Sequence, residues 1–128
     1  MRLLARADTA EFLQWFGLLG AALAWTAQHV LAFGVTVADC SAGGSRWGIS
    51  LDAWEIAITA VTGALVLVSE AAAVTILVET RGTDDDDPPP LGRRHFFAAA
   101  AALGNLLFLV IIVLGAIAVL YHPECRPA

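Results

Sequence analysis

The chain has 128 residues, of which 59% are hydrophobic and only 15% charged, with a net charge of −5 at pH 7 and a mean hydropathy of +0.74. A soluble domain carries about 45–50% apolar and roughly 25% charged residues, and here the charges stand at the ends of long apolar runs, so composition argues for a membrane protein. The basic residues are all arginine and form no patch, which sets nucleic acid aside as a partner.

Three apolar stretches predict three membrane-spanning helices, at about 12–37, 51–78 and 96–121. Each exceeds the ~20 residues that carry a helix across a ~30 Å hydrocarbon core. Strands are excluded, because three segments cannot close a barrel and an open sheet edge would leave backbone groups unpaired in lipid. The expected fold is therefore an all-α, three-transmembrane-helix bundle forming a single membrane domain over residues 1–128.

The first helix opens on Asp8-Thr9-Ala10-Glu11, a capping-box pattern. Its apolar run is longer than the ~7–15 residues of a signal peptide core, and Asp8 and Glu11 interrupt the basic region, so no cleavage is expected. Val37-Ala38-Asp39-Cys40 resembles a lipoprotein processing site only faintly, because Asp39 is the wrong type before the cysteine. Gly17, Gly20, Ala21, Ala24 and Gln28 share one face and let another backbone approach closely. Ser50 and Asp52 supply a cap and an acidic first turn to the second helix. On that helix Glu55, Thr59, Thr62, Gly63, Val66, Glu70 and Ala73 form a polar, small-residue stripe opposite a lipid-like face.

The following loop, 80–94, carries four consecutive aspartates, Asp84–Asp87, and then three prolines. Repelling charges and residues without N–H donors predict a flexible, solvated cytoplasmic linker. A calcium site is disfavoured, since calcium loops space their ligands around a tight turn. The third helix presents Ala98, Ala101, Ala102 and Asn105 to the seam and stops at His122-Pro123. Trp15, Phe96 and Phe97 mark one membrane interface; Trp47, Trp54 and Tyr121 mark the other.

Orientation follows from arginine. With the N-terminus cytoplasmic and the C-terminus outside, Arg2, Arg6, Arg81, Arg93 and Arg94 face inward against Arg46 and Arg126 outside, as the positive-inside rule requires. Cys40 and Cys125 then both reach the outer, oxidising face and read as one disulfide. A copper or zinc site is the rival reading, but only His122 offers a further ligand.

The candidate intramembrane polar residues are Gln14, Gln28, His29, Glu55, Glu70 and Asn105. Such groups are costly in lipid and face a bundle interior or a cavity. Counting ~1.5 Å of rise per residue, His29 and Glu55 fall in the outer half, at ~12 Å and ~5 Å depth, and Glu70, Asn105 and Gln14 in the inner half. His29 and Glu55 form one expected pair; Glu70 and Asn105, with Gln14, form the other. The plain reading of each is a hydrogen-bonded packing residue. No catalytic motif, metal set or cofactor site is read, and histidines at three different depths cannot supply a haem with two axial ligands.

Trp15-Phe16-Gly17-Leu18-Leu19-Gly20, Leu23-Ala24-Trp25, Gln28 and Cys40, with Pro123 and Cys125 after the third helix, resemble a group of small three-helix bacterial membrane proteins that accompany haem-copper cytochrome oxidases. The resemblance implies a non-catalytic accessory subunit or assembly factor of a respiratory complex in the bacterial inner membrane, with the bilayer and larger membrane subunits, such as a cytochrome oxidase, as its partners. His29 and the aspartate run have no counterpart in that pattern. The alternative is a small transporter or proton-conducting module that works as a homo-oligomer through the helix-two glutamates.

Overall fold

The computed structural model describes residues 7–41 and 50–121. The described residues form three α-helices: α1 (Ala7–Cys40), α2 (Leu51–Glu79) and α3 (Leu91–Tyr121). They run up, down and up, each packing on the other two. All three are long and apolar enough to cross a membrane, and the described residues contain no strand.

The helices reach beyond the predicted spans. α1 begins at Ala7, so Asp8 lies inside its first turn and favours the helix dipole instead of capping it. Ser50 does cap α2 as expected: its Oγ accepts from the backbone N–H of Ala53 at 3.3 Å. The other end of α2 closes on Thr80, whose N–H and hydroxyl both donate to the Ile76 carbonyl. Gly82 follows at φ 88°, a left-handed conformation that suits glycine.

α3 starts at Leu91, five residues earlier than expected from the sequence, because the prolines end where a helix can begin. The N–H of Arg94 donates to the Pro90 carbonyl as the first helical bond. Proline is tolerated at a helix start, where its missing N–H would have no intrahelical partner. The connection is thus 80–90 instead of 80–94, and it is internally bonded. Asp87 N–H donates to the Asp84 carbonyl, and Asp84 N–H donates to Asp87 Oδ2 at 2.9 Å. The carbonyls of Asp84, Asp85 and Asp87 also close over Gly92, leaving no room for a side chain there.

The core is narrow and built of small residues. α1 buries Ala10, Gln14, Gly17, Ala21 and Ala24; α2 buries Thr62, Val66, Ser69, Ala73 and Ile76. These alternate in steps of four and three, the 3.5-residue period that keeps a seam facing its partner along a supercoil. Ala98, Ala101, Asn105 and Ile112 of α3 follow the same spacing. Lipid tails are as apolar as leucine, so helices in a membrane gain little from hydrophobic burial against each other, and close van der Waals contact and interhelical hydrogen bonds hold them together.

The closest approach lies between Gly17 and Gly20 of α1 and Ser69 and Ala73 of α2. A Cβ on Gly17 would stand 3.1 Å from the Ala73 backbone nitrogen and 3.3 Å from its Cα, and one on Gly20 would collide with Ser69 Oγ. Gly34 and Gly104, by contrast, face open space. Gly17→Leu should therefore separate α1 from α2 and cost about 1–3 kcal/mol, the usual range for overpacking. Gly104→Leu should leave stability unchanged or raised. Reversible unfolding in detergent micelles measures both; equal stability of the two variants would show that the α1–α2 contact does not depend on glycine.

Candidate functional site

The six polar residues expected inside the membrane separate into two levels along the bundle. Gln28, His29 and Glu55 lie toward the end that carries Cys40 and Tyr121. Gln14, Glu70 and Asn105 lie toward the Thr80 end.

At the Cys40 end the three helices leave a cleft of about 460 Å³ between them, into which Gln28, His29, Glu55 and Thr59 turn. The rest of its wall is apolar, from residues such as Ile58, Ile112 and Val119. The expected neighbours His29 and Glu55 therefore do share a site. His29 Nδ1 lies 3.0 Å from the Trp25 carbonyl oxygen. A carbonyl can only accept, so Nδ1 carries the hydrogen and donates, and in the neutral ring Nε2 is left as an acceptor. The His29 ring also lies against the Trp25 indole, centroids 4.4 Å apart, and Trp25 packs in turn on Phe108 of α3 at 5.7 Å. This stacking fixes the ring's position in the cleft.

The single hydrogen of the Thr36 hydroxyl goes to the Ala32 carbonyl one turn earlier, at 2.8 Å, and the hydroxyl oxygen stands 3.4 Å from Glu55 Oε1. Gln28 Nε2 donates to Thr59 Oγ1 at 3.2 Å, which joins α1 to α2. The other amide atom, Gln28 Oε1, is buried and meets no hydrogen-bond partner. A buried polar atom in that state is uncommon and points to something further that satisfies it. The cleft continues into a narrower, nearly apolar groove of about 250 Å³ between α2 and α3, with Glu55, Thr59 and Val119 shared between the two.

At the Thr80 end the expected pairing of Glu70 with Asn105 is corrected. The Asn105 amide is buried and donates to the Gly17 carbonyl at 3.0 Å, which ties α3 to α1 across the tightest point of the bundle. Glu70 is half-buried, and its Oε2 meets no hydrogen-bond partner. The seam position belongs instead to Ser69, which is 0% exposed and packs against Gly20. Sequence reasoning missed Ser69; the four-and-three spacing of Thr62, Val66, Ser69, Ala73 and Ile76 was the signal that could have found it. Gln14 is buried on the α1 seam, as expected.

A pairing that the sequence did not foreshadow lies at the loop. Thr80 Oγ1 stands 3.0 Å from His95 Nδ1 and 2.8 Å from the Ile76 carbonyl. The hydroxyl has one hydrogen, which goes to the carbonyl, so His95 Nδ1–H donates to the hydroxyl oxygen. The bond pins the first turn of α3 to the last turn of α2.

Between the two levels sits an apolar block of Ala21, Val66 and Ile112, against which Trp25, Phe108 and Leu109 pack. Among the described residues no three His, Cys, Asp or Glu side chains gather as a metal site would need. Cys40 is the last residue of α1; its expected partner Cys125 lies outside the described residues, as do His122, Arg46 and Trp47. No protein-family model, curated protein or solved structure matches the chain.

Proposed function

We propose that this chain is a non-catalytic accessory subunit or assembly factor of a larger complex in the bacterial inner membrane, with a haem-copper oxidase as the host that the sequence resemblance implies. The observation that supports the reading is how little of the chain its own fold covers. Only 11% of the most apolar window of α1, and likewise of α3, is buried inside the bundle. Large apolar side chains such as Leu103, Leu107, Val110 and Leu114 form a long exposed face on α3. Such a surface suits both lipid and the helices of a larger subunit. Purified from native membranes in a mild detergent, the tagged chain should co-migrate with larger subunits that carry haem absorbance. Migration as a lone small protein would count against the proposal.

The orientation and the disulfide belong to the same proposal. The arginine distribution places the N-terminus in the cytoplasm and the C-terminus outside. Cys40 and Cys125 would then meet the oxidising compartment together, and the bond would tie the end of α1 to the tail that follows α3. Reporters fused to the two termini should report opposite faces of the membrane, and the intact chain should weigh two hydrogens less than its reduced form. A cytoplasmic C-terminal reporter, or free thiols holding copper or zinc, would overturn this part.

A second reading, proton conduction by an oligomer, has one observation in its favour: the buried, unpartnered Oε2 of Glu70. Glu70→Gln keeps the shape and hydrogen-bonding capacity of the side chain but cannot titrate. Under the accessory reading the variant folds, assembles and leaves the activity of the host complex within about twofold of the parent, as for changes that remove no contact. A variant that assembles normally and abolishes proton movement in liposomes would transfer the function to this second class.

A further inference from the structure

We propose that the cleft at the Cys40 end holds a metal-centred tetrapyrrole through one axial bond from His29. The assignment rests on the cleft and on His29, which the resemblance does not cover, and it does not require the accessory reading to be right.

The first argument is the state of the ring. His29 Nδ1–H is committed to the Trp25 carbonyl at 3.0 Å, and the Trp25 indole lies against the ring with centroids 4.4 Å apart. A hydrogen bond from one ring nitrogen to a carbonyl is what fixes the tautomer and orientation of a histidine that ligates metal through the other. Nε2 presents its lone pair on the edge of the ring turned away from the backbone of α1. His29 is exposed, so the bundle itself leaves that edge uncovered. An ionisable side chain in that position within a membrane-spanning helix marks a functional site by default.

The second argument is the number of ligands. A bare zinc or copper ion takes about three or four protein donors. Among the described residues no three His, Cys, Asp or Glu side chains gather to supply them, and Glu55, in the same wall, is already partnered. A metal taken here must therefore bring its other ligands with it. A tetrapyrrole does so: its own nitrogens fill the plane, and a single protein imidazole can hold the metal on the axial side. The Nε2 lone pair makes that bond, the imidazole stays neutral and no proton moves.

The third argument is shape. About 460 Å³ falls within the range of small-molecule sites and is far more than a small polar molecule hydrogen-bonded to Nε2 would use. The α3 wall runs from Ile111 to Val119, ~12 Å of helix. Ile58, Ile112 and Val119 make the cleft apolar, as the faces of a flat macrocycle require, and Ala32, Gly115 and Ala118 keep the side chains short on the two flanking helices. A Cβ on Gly115 would meet nothing within 4 Å, so the space beside it is open.

The test uses the full chain, produced without other subunits and reconstituted in nanodiscs, and follows the absorbance of the macrocycle. The probes are iron protoporphyrin, zinc protoporphyrin and the metal-free ring. At least one metal form should bind saturably, with the spectral shift of an axial imidazole, and about tenfold or more tightly than the metal-free ring; which form is preferred identifies the metal. His29→Phe keeps a ring against Trp25 but has no lone pair. It should keep the parent's helix content and melting temperature, lose the axial shift and bind about tenfold or more weakly. His29→Gly should regain the shift when imidazole is added, which a role in packing alone would not produce. Gly115→Leu narrows the cleft without a clash and should also weaken binding, whereas Gly104→Leu, outside the cleft, should leave it unchanged. Any of three results would overturn the proposal: no saturable binding by the parent chain, a metal-free ring bound as tightly as the metal forms, or an unchanged spectrum in the folded His29→Phe protein. None of these concerns co-purification, so this assignment and the accessory reading fail separately.

Discussion

The whole bundle depends on the close approach of α1 to α2 at Gly17. In water a three-helix protein is held by the removal of apolar surface from solvent, but within a membrane that force largely vanishes between helices. What remains falls off steeply with distance, since a gap of under an ångström already forfeits a quarter to a half of a dispersion contact. Gly17 meets the demand twice. Its missing side chain admits the backbone of Ala73, and its carbonyl oxygen accepts a bond from Asn105. A carbonyl has two lone pairs, so one can serve the helix while the other serves the clasp. All three helices are thus referred to one residue, and Asn105, buried in an apolar setting, gains a partner it would otherwise lack.

The cleft is the counterpart of that tight point. Buried seam positions stop at Ala24 on α1 and at Ile112 on α3, and on α2, apart from Leu51 at its start, they begin at Thr62. Beyond them the facing residues change from alanine, serine and glycine to Gln28, His29, Glu55, Ile58 and Ile111. These side chains are too large to let the backbones meet, and their polar atoms need partners that a dry seam does not provide. A cleft opens toward the Cys40 end, where the Gln28–Thr59 bond and the approach of Thr36 to Glu55 are among the contacts that join α1 to α2. Tight packing at one end and an open, mostly apolar cleft that carries a few polar side chains at the other accompany one change in side-chain size.

Most of the architecture could be read from the sequence because membrane physics leaves few options. Apolar run length sets the spans, and Ser50 and the glycine face of α1 were legible from local chemistry alone. The errors have equally physical origins. A helix period of 3.6 and a seam period of 3.5 agree over two turns and then diverge, so the stripe drawn from Glu55 reached Glu70 where the seam itself runs through Ser69. The aspartates and prolines of 84–90 read as a loose linker because their composition resembles one, yet their backbone bonds return on themselves and Pro90 opens α3. Asn105 was placed at the correct end of the bundle and given the wrong partner. Depth can be counted from the sequence, whereas a bond to a backbone carbonyl leaves no mark on the residue that owns it. His29 and Glu55 came together as expected because they occupy one level on helices that run side by side in opposite directions.

The block of Ala21, Val66 and Ile112 decides what the two polar levels can do together. Proton transfer needs a chain of titratable groups or waters within hydrogen-bond reach, and a water needs room and two or more polar neighbours. Val66 and Ala21 are fully buried between the cleft level and the Asn105 level, with Trp25, Phe108 and Leu109 packed around them. The core of that layer is apolar, and the polar groups next to it are the Trp25 indole N–H and the buried hydroxyls of Thr62 and Ser69. Glu70 lies on the far side of the block from Glu55, at the edge of the seam and half-buried. A path joining the two carboxylates along the bundle axis would have to cross the side chains of Ala21, Val66 and Ile112. Under both proposed readings the exposed apolar face of α3 is the surface that would meet another membrane helix, and the two differ in whether Glu70 titrates.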